Sequence, residues 1–150
     1  MIVVGSEAPD FTLLTDTGET VTLSKVAGKK VLYFYPKNNT PGCTKEACDF
    51  RDRIDVFKKE GVEVFGISKD NQQSHAKFKT KYGLPFTLLV DDQGNVCEQY
   101  GVINKKSLFG KTFLGIKRST FLIDEHNIIR AIWRGVKVPG HIEQVINEFK

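Results

Sequence analysis

Short apolar runs recur along the chain and predict the strands of a sheet. Val31–Tyr35 is a nearly continuous apolar run between Lys30 and Pro36, which is typical of a central strand covered on both faces. Similar runs predict further strands at 62–68, 87–90, 119–123 and 128–133.

Apolar residues at three- and four-residue spacing predict helices between these strands. Within residues 44–60 such positions alternate with charged ones, and Gly61 follows as a stop signal, so one continuous helix is predicted there. The same reasoning predicts helices at 71–82, 95–101 and 141–150.

The order of these elements predicts the fold class. Residues 11–14 and 20–23 flank a turn signal at 16–18 and predict an N-terminal hairpin. A β-α-β-α-β segment follows, which favours parallel strands with right-handed crossovers. The late hairpin at 119–133 then makes the sheet mixed. We therefore predict an α/β thioredoxin-like fold: one domain over residues 1–150, with a central mixed β-sheet flanked by helices and an N-terminal β-hairpin extension. A Gly-rich stretch at 107–116 receives no predicted element.

Composition excludes several classes of protein. The 150 residues are 40% hydrophobic and 27% charged, with a net charge of +4. The lysines are scattered rather than gathered in a stripe with aromatic residues, so no nucleic-acid partner is expected. No apolar run approaches the roughly 18 residues of a membrane span, and residues 1–7 lack the features of a secretory signal. We expect a cytoplasmic protein without a membrane partner.

Three cysteines, Cys43, Cys48 and Cys97, are the candidates for chemistry. An odd number in a reducing compartment argues against structural disulfides and leaves buried spacers, metal ligands or redox groups. Zinc requires four ligands, or three and a water. No third and fourth ligand has suitable spacing, so no metal or other cofactor is expected. Cys97 is interpreted as a buried or semi-exposed bystander, with a second resolving or sensing thiol as the alternative.

Cys43 lies where a buried strand passes through a turn-rich loop into the first turn of a helix. Active sites of open α/β sheets lie at the carboxyl ends of strands, as this loop does. Unpaired N–H groups and the helix dipole favour an anion there, and the thiolate is the nucleophilic form of cysteine. Pro36, Pro41 and Gly42 fix the course of the loop, and the Thr40 hydroxyl lies within reach of the sulfur or of a bound substrate oxygen. The pattern predicts a reactive nucleophile.

Cys48 follows Cys43 by five residues. On a regular helix their Cα atoms are roughly 8–9 Å apart, whereas a disulfide needs roughly 4.4–6.8 Å. The two sulfurs can therefore join only after the first turns of the helix unwind.

The motif Pro36-x-x-x-Thr40-x-x-Cys43 resembles the active-site signature of the peroxiredoxins. The longer segment 34–48 is similar to the bacterioferritin-comigratory, or Q-type, branch of that family. Further similarities run in order along the chain, at residues 5–11, 64–68, 91–94, 100–102 and 118–124.

This resemblance implies a thiol peroxidase that reduces hydrogen peroxide and organic hydroperoxides. It implies that Cys43 is the peroxidatic cysteine, that Cys48 is the resolving cysteine, and that Arg118 polarises the peroxide beside the thiolate. It also implies recycling by a thioredoxin or glutaredoxin-type reductant. A resolving cysteine in the same chain favours a monomer, with a weak dimer as the alternative.

Several alternatives stay open at this point. A thioredoxin-type oxidoreductase is disfavoured because it carries C-x-x-C. A redox-switched binding protein, in which oxidation exposes a partner surface, is a further alternative. Without the family, Arg118 is a surface salt-bridge residue at a strand start. Trp133 is predicted to lie in the core. Phe109, Phe113 and Leu114 line the peroxide pocket or contact another subunit.

Overall fold

Strands and helices alternate in this α/β protein, which a computed structural model describes over residues 2–150. The strands are β1 (Thr12–Thr15), β2 (Thr20–Thr22), β3 (Lys29–Phe34), β4 (Val62–Ser68), β5 (Thr87–Val90), β6 (Ile103–Leu108), β7 (Lys111–Ile116), β8 (Ser119–Ile123) and β9 (Ile129–Arg134). The helices are α1 (Pro41–Asp52), α2 (Ile54–Lys59), α3 (Gln72–Tyr82), α4 (Asn95–Gln99) and α5 (His141–Phe149), with a 3-10 turn at Leu23–Lys25. None of the helices in this part of the chain is both long and apolar enough to cross a bilayer.

The main sheet has seven strands in the order β2-β1-β5-β4-β3-β8-β9. Strands β3, β4 and β5 pair in parallel, and helices connect them. Strands β1 and β8 join this parallel core antiparallel, and β2 and β9 extend it at the two edges. The predicted thioredoxin-like fold, with its mixed sheet and N-terminal hairpin, is confirmed.

The central strand β3 is buried on both faces, as its apolar run predicts. Side chains point to opposite faces along a strand, so Tyr33 packs with the helices of one layer, including Phe50 of α1. Phe34 packs on the other layer, against Tyr100 and Phe121. The carboxyl end of β3 is therefore held rigidly at the point where the Cys43 loop leaves the sheet.

Most predicted elements lie within two residues of the observed ones, but the helix predicted at 44–60 is wrong in its bounds and its continuity. It begins at Pro41, because proline is tolerated in a first helical turn, where its missing N–H has no partner to lose. It is interrupted at Arg53, whose φ of −118° and ψ of 14° leave the helical range. Apolar spacing reports which positions are buried, and both α1 and α2 bury the expected face across the break.

The stretch without a predicted element, 107–116, belongs to a separate two-stranded sheet of β6 and β7. Phe109 and Gly110 form its two-residue turn, with φ values of 53° and 75°, as in the tight turns that join twisted strands. We call residues 103–116 the Phe109 hairpin. Apolar and polar side chains do not alternate along either strand of this hairpin. The sequence therefore lacks the two-residue period that predicts a strand.

Two predictions about aromatic residues have different outcomes. Trp133 is half-buried and packs against the helix-covered core, which agrees with its predicted place. Phe109, Phe113 and Leu114 are exposed on the hairpin instead of lining an enclosed pocket.

Candidate active site

Cys43 lies in the first turn of α1, directly beyond the carboxyl end of β3. Thr40 is the N-cap residue, Pro41 begins the helix, and the Thr44 N–H donates to the Thr40 carbonyl at 2.9 Å. N–H groups of a first turn have no partner within the helix, so Cys43 lies at the positive end of the helix dipole. The side chain is only 1% exposed and packs in the core.

Arg118 brings a permanent positive charge to this sulfur. It lies between β7 and β8, and its Nη2 donates to Cys43 Sγ at 3.4 Å. Burial lowers the pKa of the Arg118 guanidinium, but the charges of Glu46 and Cys43 and its hydrogen bonds to both outweigh this and raise it. The arginine is thus a half-buried partner of the thiol and does not form a salt bridge at the surface.

Gly42 makes this approach possible. A Cβ atom at residue 42 would lie 3.1 Å from Arg118 Nη2, a distance at which one group must move. A side chain here would push the guanidinium by a few tenths of an ångström, so the small size of Gly42 favours the close contact between Arg118 and the sulfur.

Glu46 is a member of the site that the sequence analysis does not identify. It lies three residues after Cys43 on the same face of α1, and its Oε1 accepts from Arg118 Nη1 at 2.7 Å. Its Oε2 is buried without a hydrogen-bond partner among residues 2–150. Burial raises the pKa of Glu46 to about 7, although Arg118 opposes the shift. A carboxylate at an otherwise apolar position of the helix is the signal that could have identified it.

Asn38 ties the loop before Cys43 to the rest of the fold. It is buried, accepts from the Tyr35 hydroxyl at 2.6 Å and donates through Nδ2 to His75 Nδ1 at 2.9 Å. Its backbone N–H donates to Asp70 at 3.0 Å. His75 Nε2 pairs with the Leu89 carbonyl at 2.9 Å, so His75 donates there and accepts from Asn38. Burial lowers the pKa of His75, which favours the neutral ring that this arrangement of hydrogen bonds requires.

Thr40 and Pro36 lie on the same loop but do not touch the sulfur through hydrogen bonds. The sequence predicts that the Thr40 hydroxyl faces the thiolate or a substrate oxygen. In the structure this hydroxyl instead donates to the Lys37 carbonyl at 2.8 Å. Pro36 directly follows β3 and is half-buried. Both help to set the course of the loop.

The other two cysteines have contrasting surroundings. Cys48 is half-buried on α1, and all three thiols are free. Because both positions lie within one helix, the Cα atoms of Cys43 and Cys48 are roughly 8–9 Å apart. Cys97 is fully buried in the opposite layer, where burial and a hydrogen bond to Asp91 raise the pKa of its thiol. In the described part of the chain, no group of three or more His, Cys, Asp or Glu side chains could hold a metal ion.

Comparison with known proteins gives consistent matches over nearly the whole chain. Residues 4–132 match the AhpC/TSA family. A Coxiella burnetii relative described as a peroxiredoxin bcp is 58% identical to this chain over 146 residues, which cover 97% of each of the two proteins. Peroxiredoxin Bcp of Bacillus subtilis is 49% identical over 150 residues, covering 99% of this chain and 96% of the relative.

A solved structure has a similar fold. The bacterioferritin comigratory protein of Xanthomonas campestris, whose structures address alkyl peroxide reduction, superposes with a TM-score of 0.88 at 39% identity. The superposition covers 93% of this chain and 89% of that protein.

Proposed function

We propose, from the premise that this chain belongs to the AhpC/TSA family and is a thiol peroxidase, that Cys43 is its peroxidatic cysteine. The observation that carries this proposal is the 3.4 Å contact between Arg118 Nη2 and Cys43 Sγ at the first turn of α1. Helix N–H groups and a guanidinium together stabilise a sulfur anion, which is the form that attacks a peroxide.

The first step is a two-electron transfer at this sulfur. The Cys43 thiolate attacks the terminal oxygen of ROOH, the O–O bond breaks, and the sulfur becomes a sulfenic acid. The departing oxygen takes a proton and leaves as water or an alcohol. The peroxide is reduced and the cysteine is oxidised by the same two electrons.

Arg118 stabilises the charge that moves from sulfur to oxygen during this step. Its two terminal nitrogens contact Cys43 and Glu46 at the same time, so the carboxylate fixes the plane of the guanidinium. Preorganised donors of this kind lower the barrier because they need no reorientation during the reaction. Thr40 and Pro36 complete the site in our proposal. The Thr40 hydroxyl turns from Lys37 to a bound peroxide oxygen, and Pro36 holds the loop over the sulfur.

Cys48 resolves the oxidised enzyme. Its thiol condenses with the sulfenic acid of Cys43, so that an S–S bond forms and water leaves. The distance between the two Cα atoms within α1 exceeds the upper end of the disulfide range by roughly 1–2 Å. The first turns of α1 must therefore unwind, which removes the N–H groups and the Arg118 contact from the sulfur.

A dithiol reductant of the thioredoxin or glutaredoxin type then reopens the disulfide by thiol exchange. The Xanthomonas relative supports alkyl hydroperoxides as substrates beside hydrogen peroxide. Because both sulfurs belong to one helix, a monomer contains the complete set of groups. Free thiols of this kind suit a reducing compartment such as the cytoplasm.

Peroxide consumption coupled to thioredoxin, thioredoxin reductase and NADPH tests the proposal. Cys43→Ser should abolish it, whereas Cys48→Ser should be oxidised once and then stop. Mass spectrometry of the digested, peroxide-treated protein should find Cys43 bridged to Cys48. Normal turnover of Cys48→Ser would refute its resolving role, and activity in Cys43→Ser would refute the assignment of the nucleophile.

A further inference from the structure

The Phe109 hairpin exposes large apolar side chains outside the catalytic machinery. Phe109, at its tip, is 92% exposed and Leu114 is 61% exposed; Leu108 and Phe113 are exposed as well. Clusters of exposed apolar residues on one projecting element are uncommon in soluble proteins and mark surfaces that contact something else.

These side chains occupy both faces of the hairpin. Paired residues of an antiparallel sheet share a face, and successive residues alternate. Leu114 pairs with Lys105 on one face, whereas Phe113 pairs with Lys106 on the other. Leu108, two residues beyond Lys106, shares the Phe113 face, and Phe109 extends the tip. A flat protein partner would cover only one of these faces, but a fluid interface surrounds both.

The segment that contains the hairpin also lacks acidic residues, so its charge is entirely positive. Between Glu98 and Asp124 the chain has five basic residues and no acidic one. Since the whole sequence has 22 basic and 18 acidic residues, 17 basic and 18 acidic residues remain outside this segment. Four of the five are lysines on or beside the hairpin, and none of these lysines forms a salt bridge within residues 2–150.

The tip itself is costly in the free protein. Phe109 has a φ of 53°, a left-handed conformation that Asn and Gly adopt more easily than an aromatic residue. The residue is thus unfavourable both in its backbone and in its exposure to water. Such outliers persist where they serve a function.

We propose that the Phe109 hairpin docks on the surface of an anionic lipid bilayer, with its tip in the interface. Phe109 and the flanking leucines enter the boundary between headgroups and acyl chains, as apolar faces of peripheral proteins do. The lysines face the negatively charged headgroups. A second copy of this chain is a poor occupant, because it would place lysines that have no salt-bridge partner within residues 2–150 against one another. Of these, Lys106 donates to the Ile116 carbonyl at 2.8 Å.

This contact places the active site near the membrane. Arg118 follows the last residue of the hairpin by two positions, and six strand residues span roughly 20 Å. The tip in the lipid surface thus leaves Cys43 within reach of hydroperoxides at that surface. The protein would then have a membrane partner although its hydropathy contains no membrane span. Docking itself does not depend on peroxidase activity.

Sedimentation with vesicles tests the docking directly. The full chain should bind vesicles of phosphatidylglycerol and phosphatidylcholine but not vesicles of phosphatidylcholine alone, and added salt should weaken the binding. Phe109→Ser should weaken it about tenfold or more, and Lys111→Gln about fivefold. Phe109→Ser should still consume hydrogen peroxide in solution at the rate of the unmodified protein, which shows that it folds.

Matched controls separate this surface from general effects. Val4→Ser removes another exposed apolar side chain, and Lys58→Gln another exposed lysine; both variants should bind as the unmodified protein does. Cys43→Ser should also bind normally, so a failure of the proposed chemistry would leave this result intact. Absence of binding to anionic vesicles, or equal binding by Phe109→Ser, would overturn the proposal. A loss of thioredoxin-dependent turnover in Phe109→Ser without vesicle binding would instead assign the hairpin to a protein partner.

Discussion

Substitution of Glu46 by glutamine tests the electrostatic state of the site most directly. Glutamine has nearly the same shape and keeps an oxygen that can accept from Arg118, but it cannot ionise. Glu46 is fully buried, and only one of its oxygens has a hydrogen-bond partner in the described chain. The variant therefore removes a proton equilibrium while it leaves the packing intact.

The size of the expected change in the free energy of unfolding follows from the pKa of Glu46, which burial raises from 4.5 to about 7 in the folded state. At a pH between these two values the folded protein keeps a proton that the unfolded chain has lost. This proton contributes stability that is fully present below the unfolded pKa and is lost as the pH rises to the folded pKa. Each pH unit in this window corresponds to about 1.4 kcal/mol, or about 3 kcal/mol in total.

The assay is urea unfolding of both proteins at several pH values through this window. Both carry Cys43→Ser, so that ionisation of the thiol makes no contribution. His75 and His141 give the opposite slope, because burial lowers the pKa of each and stability rises as the unfolded chain loses its extra protons. The difference between the two curves cancels the histidines and isolates Glu46.

We expect the free energy of unfolding of the glutamate protein, relative to that of the glutamine variant, to be highest at low pH. This difference should decline by about 3 kcal/mol as the pH rises and become constant above neutral pH. A difference that is independent of pH would refute the reasoning, because it would mean that Arg118 keeps Glu46 ionised despite its burial. A difference that rises with pH would show that the ion pair outweighs desolvation.

Three further predictions concern Arg118, Asn38 and Cys97. Arg118→Lys should slow peroxide reduction about 100-fold in stopped-flow measurements, because an ammonium cannot hold Cys43 and Glu46 with one planar fork. Arg130→Lys is the control. A rate of Arg118→Lys near that of the unmodified protein would contradict the role of Arg118. Asn38→Asp places a carboxylate beside His75 Nδ1 and should raise the pKa of His75 in an NMR titration. Asn39→Asp, at the exposed neighbouring position, should not. An unchanged His75 titration in Asn38→Asp would disprove the contact. Cys97→Ala should leave thioredoxin-dependent turnover unchanged, since this thiol is fully buried on the opposite side of the sheet; a loss of turnover would make it a second resolving cysteine.

Much of the site can be predicted from the sequence because its parts are local. Cys43, Thr40 and Pro36 lie on one strand–loop–helix segment, and the apolar run of β3 and the turn residues after it determine where that segment lies. The spacing between Cys43 and Cys48 is likewise a property of one helix. Local periodicity and turn chemistry are the strongest signals in a single sequence, so the fold class and the prediction that Cys43 is reactive follow from them.

Contacts between distant segments are decided by the tertiary structure. Arg118 and Glu46 are 72 positions apart, and only the pairing of β8 with β3 brings the arginine over the start of α1. The resemblance to a family indicates that Arg118 matters. The only local sign of Glu46 is its place among the apolar positions of α1, which does not reveal its partner. Its raised pKa exists only because the core closes over it.

The break in α1 and the Phe109 hairpin depend on tertiary structure in the same way. Apolar spacing determines which residues are buried, and it is nearly unchanged when a helix is interrupted at Arg53. In the hairpin, apolar and basic residues occupy both faces, so neither the period of a strand nor that of a helix is visible. The sequence by itself determined the fold class and the choice of Cys43 as the candidate nucleophile, because both depend on short-range patterns. The tertiary structure decided the partners of that nucleophile and the shape of the exposed hairpin, because these depend on which surfaces the folded chain brings together or leaves in water.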